Sequence, residues 1–284
     1  MSDILTIAGL TLREAYRRMI LWVAVALSAV FLAIYGVGFY YVYQDLVRVT
    51  RGVAVVTDSV FTFVLLAAFY VVSFLGVVIA VLMSVGALSG EISSHTIQSL
   101  ATKPIRRASL VLGKWLGLAA MIAPFIVTLS LGVTAITWAI SGYVPPQVGR
   151  GIALLVLQAL IMLSLGIAGS TRLSTVANGV FIFLLYGVAF VGGWMEQIGS
   201  FTETSAAVEI GIISSLLVPS EAIWKMAAHG MQPTALGGLR IVDAMVAGPF
   251  TVLNPPSLAM LLYAILYTLA AVALAVRLFG TRDL

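Results

Sequence analysis

The sequence predicts an all-α, polytopic integral membrane protein with six transmembrane helices, and three observations carry that prediction. First, 61% of the 284 residues are hydrophobic and only 9% are charged, against about 45–50% and about 25% in an ordinary soluble domain. Even a chain of about 300 residues leaves roughly a quarter of its unfolded surface exposed to water, so a soluble fold cannot hide this much apolar surface. Second, six stretches reach the roughly 20 residues that cross about 30 Å of hydrocarbon without Asp, Glu, Lys, Arg or His. Third, the basic residues are distributed unevenly between the segments that join those stretches.

Residues 3–19 come first and read as an amphipathic helix in the membrane interface. Ile4, Ala8, Leu12, Ala15 and Met19 recur at spacings of three or four, with Arg13, Glu14, Arg17 and Arg18 mostly off that stripe. The alternative is a polar extension of the first span. That span, 20–43, is longer than the roughly 7–15 apolar residues of a signal peptide and lacks an A-x-A-like end, so it is expected to be retained. The second span covers 59–88, and the third covers 109–140, with its uncharged part starting at Trp115. The fourth is 151–170, the fifth 173–195 and the sixth 257–276. Each is expected to cross as a helix, which satisfies its own backbone polar groups.

The segment 199–256 carries apolar patches broken by Glu209 and Pro219, and short interfacial or re-entrant helices are expected there. In "PSEAIWKMAAHG", Ser220 is the expected cap, Glu221 suits the positive end of the helix dipole, and Gly230 is the expected terminator. Pro255 and Pro256 suit the start of the sixth span.

Cytoplasmic loops carry the excess of Lys and Arg. With the N-terminus inside, the inner segments hold ten basic and four acidic residues, a net +6, and the outer ones five basic and seven acidic, a net −2. Both termini are therefore expected in the cytoplasm. The bias also accounts for the formal charge of +4 without any nucleic-acid partner. Counting a seventh span would place Arg277 and Arg282 outside.

Several chemistries are missing. The chain has no cysteine, which excludes thiolate metal sites and cysteine nucleophiles. No H-e-x-x-H-type pair exists, and the expected topology puts the two histidines, His95 and His229, on opposite sides. "LGKW" at 112–115 lacks the first glycine and the Ser or Thr of a phosphate-binding loop, having Ala108 and Trp115 there. Ion-coupled transporters place ionisable groups inside the membrane, and the uncharged stretches offer none. Gln158 and Asn178 read as interhelical hydrogen-bonding residues, and Gly86/Gly90 and Gly113/Gly117 have the spacing of close helix packing. Phe39, Tyr40, Tyr41 and Tyr43 read as an interfacial aromatic belt.

Against this background the loop 90–107, "GEISSHTIQSLATKPIRR", stands out. Ser93 or Ser94 suits the cap of a short helix with Ile97, Leu100 and Ala101 on one face, and Pro104 stops it. Isolated helices below about 12–15 residues are marginal in water, so headgroups or another protein must hold this one. Glu91 suits bonding to the helix start, pairing with Arg106 or Arg107, or contact with a partner. The two arginines also suit anionic headgroups.

The order Glu91, Thr96, Leu100, Pro104, Arg107, then Gly113 and Lys114 resembles the segment E-x-x-x-G-T-x-x-x-L-L-x-x-P-[IV]-x-R followed by G-K of type-2 ABC transporter permeases. The layout of spans resembles the same family over essentially the whole chain. His95 departs from the family's usual Gly and Ala101 from a common second Leu. The resemblance implies one permease domain over 1–284, the membrane subunit of an ABC exporter. It implies that 90–107 docks on a separate ATPase through Glu91, His95, Thr96, Ile97, Leu100, Pro104, Arg106 and Arg107. ATP and Mg would be bound by that partner, with no cofactor and no catalytic or metal-binding residue in this chain, which would not itself be an enzyme. Two membrane subunits are implied, most simply a homodimer, in contact with membrane lipids of a prokaryotic plasma (inner) membrane. An ATP-independent transporter or channel, and a non-transporting scaffold of an ABC-like complex, are the alternatives.

Overall fold

The computed structural model describes residues 2–50, 54–90, 106–202, 204–232, 250, 252 and 255–281. Among the described residues are nine helices and no strand: α1 (Ser2–Arg17), α2 (Met19–Thr50), α3 (Ala54–Ser84), α4 (Arg107–Ser141), α5 (Val148–Ser170), α6 (Thr175–Thr202), α7 (Ser205–Leu217), α8 (Ser220–Met231) and α9 (Leu258–Gly280). Six of these, α2 to α6 and α9, are long and apolar enough to cross a membrane. One end of the bundle gathers α1, the start of α4, the α5–α6 turn and the end of α9; it is called the basic end below, and the opposite end the far end.

Several helices outrun the spans counted from sequence. At about 1.5 Å per residue, the 32 residues of α2 reach about 48 Å, well beyond the hydrocarbon, and carry Asp45 and Arg48 at the projecting end. A sequence count stops at the first charged residue, whereas backbone hydrogen bonding does not. In contrast, α3 stops at Ser84, short of residue 88, and turns through 85–88. There the carbonyls find side-chain donors: Asn178 Nδ2 bonds Val85 O at 3.2 Å and Lys114 Nζ bonds Ala87 O at 2.6 Å. Gly142, at φ 70°, ends α4 with its N–H on Trp138 O, the left-handed terminus that favours glycine.

The centre of the bundle is α3 and α5, whose spans are 67% and 72% buried, against 17% for α2 and 22% for α9. Polar side chains join the helices inside it. Ser73 donates to Gln158 Oε1 at 2.8 Å, Asn178 Nδ2 also reaches Gly166 O at 2.8 Å, and Trp115 Nε1 reaches Ser164 Oγ at 2.8 Å. Both amides singled out in the sequence thus bond across helices. The aromatic belt is divided: Tyr40 and Tyr41 are exposed, but Phe39 is fully buried against Tyr35 and Phe61.

The N-terminal helix differs from the expected 3–19. It ends at Arg17, Arg18 forms a joint, and Met19 opens α2 fully in view of the surroundings, 79% exposed. Its inner stripe is Ile4, Ile7, Ala8, Thr11, Leu12 and Ala15, and this stripe lies on α4. A Cβ at Gly117 would stand 2.6 Å from Ala8 O, and one at Gly113 would stand 2.6 Å from Ile7 Cβ and 3.0 Å from Ile4 O. Glycine spacing here joins a span to α1, bringing backbone against backbone. The other pair does less, since Gly86 meets Thr175 only at 3.4 Å and Gly90 meets nothing within 4 Å.

At the far end, α7 and α8 form a pair bent by 109°. Gly199 lies against Ala207, and Gly192 against Ser214, so α7 runs back along α6. α8 then leads away to α5, where Met231 covers Gly151. The pair leaves and returns at the same end and lies outside the six spans. Pro219 is the N-cap in place of Ser220, whose hydroxyl is buried without a partner, and the helix passes Gly230 to end at Met231.

The α1–α4 contact predicts that Gly117→Ala destabilises the solubilised chain by about 1–3 kcal/mol through overpacking. Gly9→Ala, where an added Cβ meets nothing within 4 Å, should leave the thermal midpoint unchanged or slightly raised. Equal midpoints for the two variants would show that the close approach does not matter to stability.

Candidate functional site

Of the loop residues singled out in the sequence, Glu91, His95, Thr96, Ile97, Leu100 and Pro104 lie outside the described residues. The two ends of the loop are described. The incoming end is the turn after α3, closing at Gly90, and the outgoing end is Arg106 and Arg107, both exposed where α4 begins.

Both ends are tied to the bundle. Lys114, two turns into α4, is 4% exposed, and its ammonium holds the Ala87 carbonyl on the incoming side at 2.6 Å. A buried ammonium is tolerated only where acceptors replace its water, and this bond to a carbonyl of the turn after α3 is one of them. Lys114 also shares a small cavity with Thr11, Glu14 and Arg18 of the α1–α2 joint, where Arg18 and Glu14 form an ion pair at 2.7 Å. On the outgoing side, Arg107 Nη1 donates to Gly280 O at 3.2 Å, and Arg172 Nη2 donates to Thr281 Oγ1 at 2.9 Å. The base of the loop therefore links α1, the turn after α3, α4 and the end of α9.

A second cluster lies at the far end. Lys225 of α8 approaches Glu196 of α6 at 2.7 Å as an ion pair, without hydrogen-bond alignment. One turn before Lys225, Glu221 is 2% exposed and its Oε1 has no partner. Burial pushes the Glu221 carboxyl up to about 8, against a smaller downward pull from Lys225. Gly193 admits it, since a Cβ there would stand 3.0 Å from Glu221 Cβ. Tyr70 of α3 packs its ring 5.0 Å from Trp224 and 5.3 Å from Phe250, and accepts a bond from Trp194 Nε1 at 2.9 Å. Together they line a partly open cavity of about 20 Å³. Sequence reading assigned Glu221 to a helix dipole and did not pair Lys225 with Glu196, which stands 29 positions earlier. The available signal was a Glu and a Lys four apart in a short helix with few other polar residues.

A third feature is an apolar groove of about 360 Å³ between α2 and α4, beside Pro124 and lined by Trp22, Val25, Leu32 and Phe125 among others. Proline lacks the N–H that would bond one turn back, and the groove lies at that interruption of α4.

In comparisons with known proteins, the family model described as ABC-2 family transporter protein matches residues 5–284. No curated protein matches the chain.

Replacing Lys114 by Met leaves the Ala87 carbonyl without its charged donor, a bond worth about 1.5–3 kcal/mol. Hydrogen–deuterium exchange should rise in residues 85–90 while α5 stays protected. Unchanged exchange at 85–90 would show that Lys114 does not hold the incoming end of the loop.

Proposed function

The chain belongs to the ABC-2 transporter family, and on that premise we propose that it is the membrane subunit of an exporter driven by a separate ABC ATPase. The observation that carries this reading is the base of loop 90–107, where Lys114 and Arg107 tie the loop's two ends to α3 and α9. The loop docks on the ATPase through Glu91, His95, Thr96, Ile97, Leu100, Pro104, Arg106 and Arg107. ATP and Mg are bound by that partner. Its closure on nucleotide favours one arrangement of the bundle over another by differential affinity, and an apolar or amphipathic substrate leaves outward.

In this reading the basic end faces the cytoplasm of a prokaryote, in agreement with the excess of Lys and Arg there. Both termini lie on that side of the plasma membrane. Two copies of the chain pair about a two-fold axis, so that two ATPases act on two loops.

Co-expression with the ABC ATPase encoded nearest to this chain should give a complex that survives purification. Leu100→Asp and Glu91→Gln should lower ATP-driven flux in proteoliposomes by about tenfold or more, with the thermal midpoint unchanged. No complex, together with unaltered flux in both variants, contradicts the reading. Equal flux without ATP marks an uncoupled transporter, and ATP turnover that no substrate stimulates marks a scaffold.

A further inference from the structure

The far-end cavity is lined by a carboxyl group with an oxygen that its neighbours leave without a hydrogen bond. The Lys225 ammonium beside it is paired at 2.7 Å with Glu196, which is not part of the cavity lining. Glu221 Oε1 is buried and unpartnered. A carboxyl group held out of water in this way takes up a positive charge or a proton.

We propose that this cavity binds the ammonium head of a primary amine, free in solution or carried by a lipid headgroup, with Glu221 Oε1 as its anion. Size is the first argument. About 20 Å³ accommodates one water-sized group, which admits an –NH3 head and excludes a trimethylammonium head. The walls are the second. Rings of Tyr70, Trp194, Trp224 and Phe250, clustered at centroid distances of 5.0–6.3 Å, give the cavity aromatic walls, and aromatic surface attracts a cation. Calcium and magnesium ions require about six oxygen ligands and zinc about four side-chain or water ligands, and among the described residues no three His, Cys, Asp or Glu gather in a metal-holding group. The position is the third. The cavity is built from α3, α6 and α8 with Phe250 and Val252, and no residue of the loop base lines it.

A proton competes with the amine for Glu221. The charged and titratable groups around that carboxyl are Lys225 on its own helix, Glu196 and Tyr186 on α6, and Tyr70 on α3. With the carboxyl half-protonated near pH 8 and an alkylamine charged to about pH 10, binding strengthens about tenfold per unit from pH 6 towards 8 and then levels off.

The test uses the full-length chain in phosphatidylcholine nanodiscs and reads tryptophan fluorescence, since Trp194 and Trp224 line the cavity. Butylammonium chloride, titrated at constant ionic strength and pH 8, should give a saturable change, and butyltrimethylammonium and butanol should give none. Glu221→Gln should weaken binding at least about tenfold in a chain that keeps its thermal midpoint. If that variant does not fold, the size series on the unaltered chain and its pH dependence decide. Phosphatidylethanolamine in the discs suppresses the response if the headgroup is the occupant, and leaves it intact if a free amine is. The proposal is overturned by the absence of a saturable change, by an equal response to butyltrimethylammonium or butanol, by pH-independent binding, or by unaltered binding to folded Glu221→Gln.

Discussion

The approach of α1 to α4 at Gly113 and Gly117 is the contact on which the rest of the basic end depends. It brings the Ala8 carbonyl to 2.6 Å from where a Cβ of residue 117 would stand, a separation that no side chain permits. With α1 held there, the α1–α2 joint at Arg18 and the buried ammonium of Lys114 come to share one small cavity. Lys114 in turn holds the end of α3. Removing hydrocarbon surface from lipid gives little driving force, because lipid tails are as apolar as the side chains. Close backbone packing and buried hydrogen bonds therefore carry the organisation, and the centre shows the same logic in Ser73–Gln158 and Asn178–Gly166.

The two ends of the bundle are built differently. The basic end is tied by single long side chains reaching backbone carbonyls, Lys114 to Ala87 and Arg107 to Gly280. The far end is closed by the bent pair α7–α8, which carries Glu221 and Lys225 into an aromatic surround. There Glu221 and Lys225 line the aromatic cavity, and Lys225 pairs with Glu196 rather than with a backbone carbonyl. On the proposed reading, work is delivered at the first end and a ligand is met at the second, with α3, α4 and α6 running between them.

Much of this was legible in the sequence because hydrocarbon thickness is a hard constraint: six uncharged runs of about 20 residues gave six helices, and Gln158 and Asn178 stood out as amides in apolar surroundings. Helix ends were less legible. Asp45 and Arg48 stop a hydropathy count but not α2, and the early end of α3 depends on Asn178 and Lys114, far along the chain. The spacing of Gly113 and Gly117 was visible, but a spacing names no partner, and the partner proved to be α1. Lys225 and Glu196 were counted as outer-side charges but not paired, because charged residues in a loop between spans are ordinarily assigned to water. The residues that carry the family resemblance, from Glu91 to Pro104, lie outside the described residues, and the described part of that site is its base.

The close contact at Gly113 and Gly117 implies that α1 and α4 move as one body at the base of the loop. The chain has no cysteine, so Leu10→Cys and Leu116→Cys, at exposed positions on the two helices, give a clean spin-labelled pair. Double electron–electron resonance on the complex with the ATPase, assembled with an excess of unlabelled chain so that each complex carries one labelled copy, should show one narrow distance distribution, the same with and without ATP. A broad distribution, or a distance that shifts on ATP addition, would contradict the account.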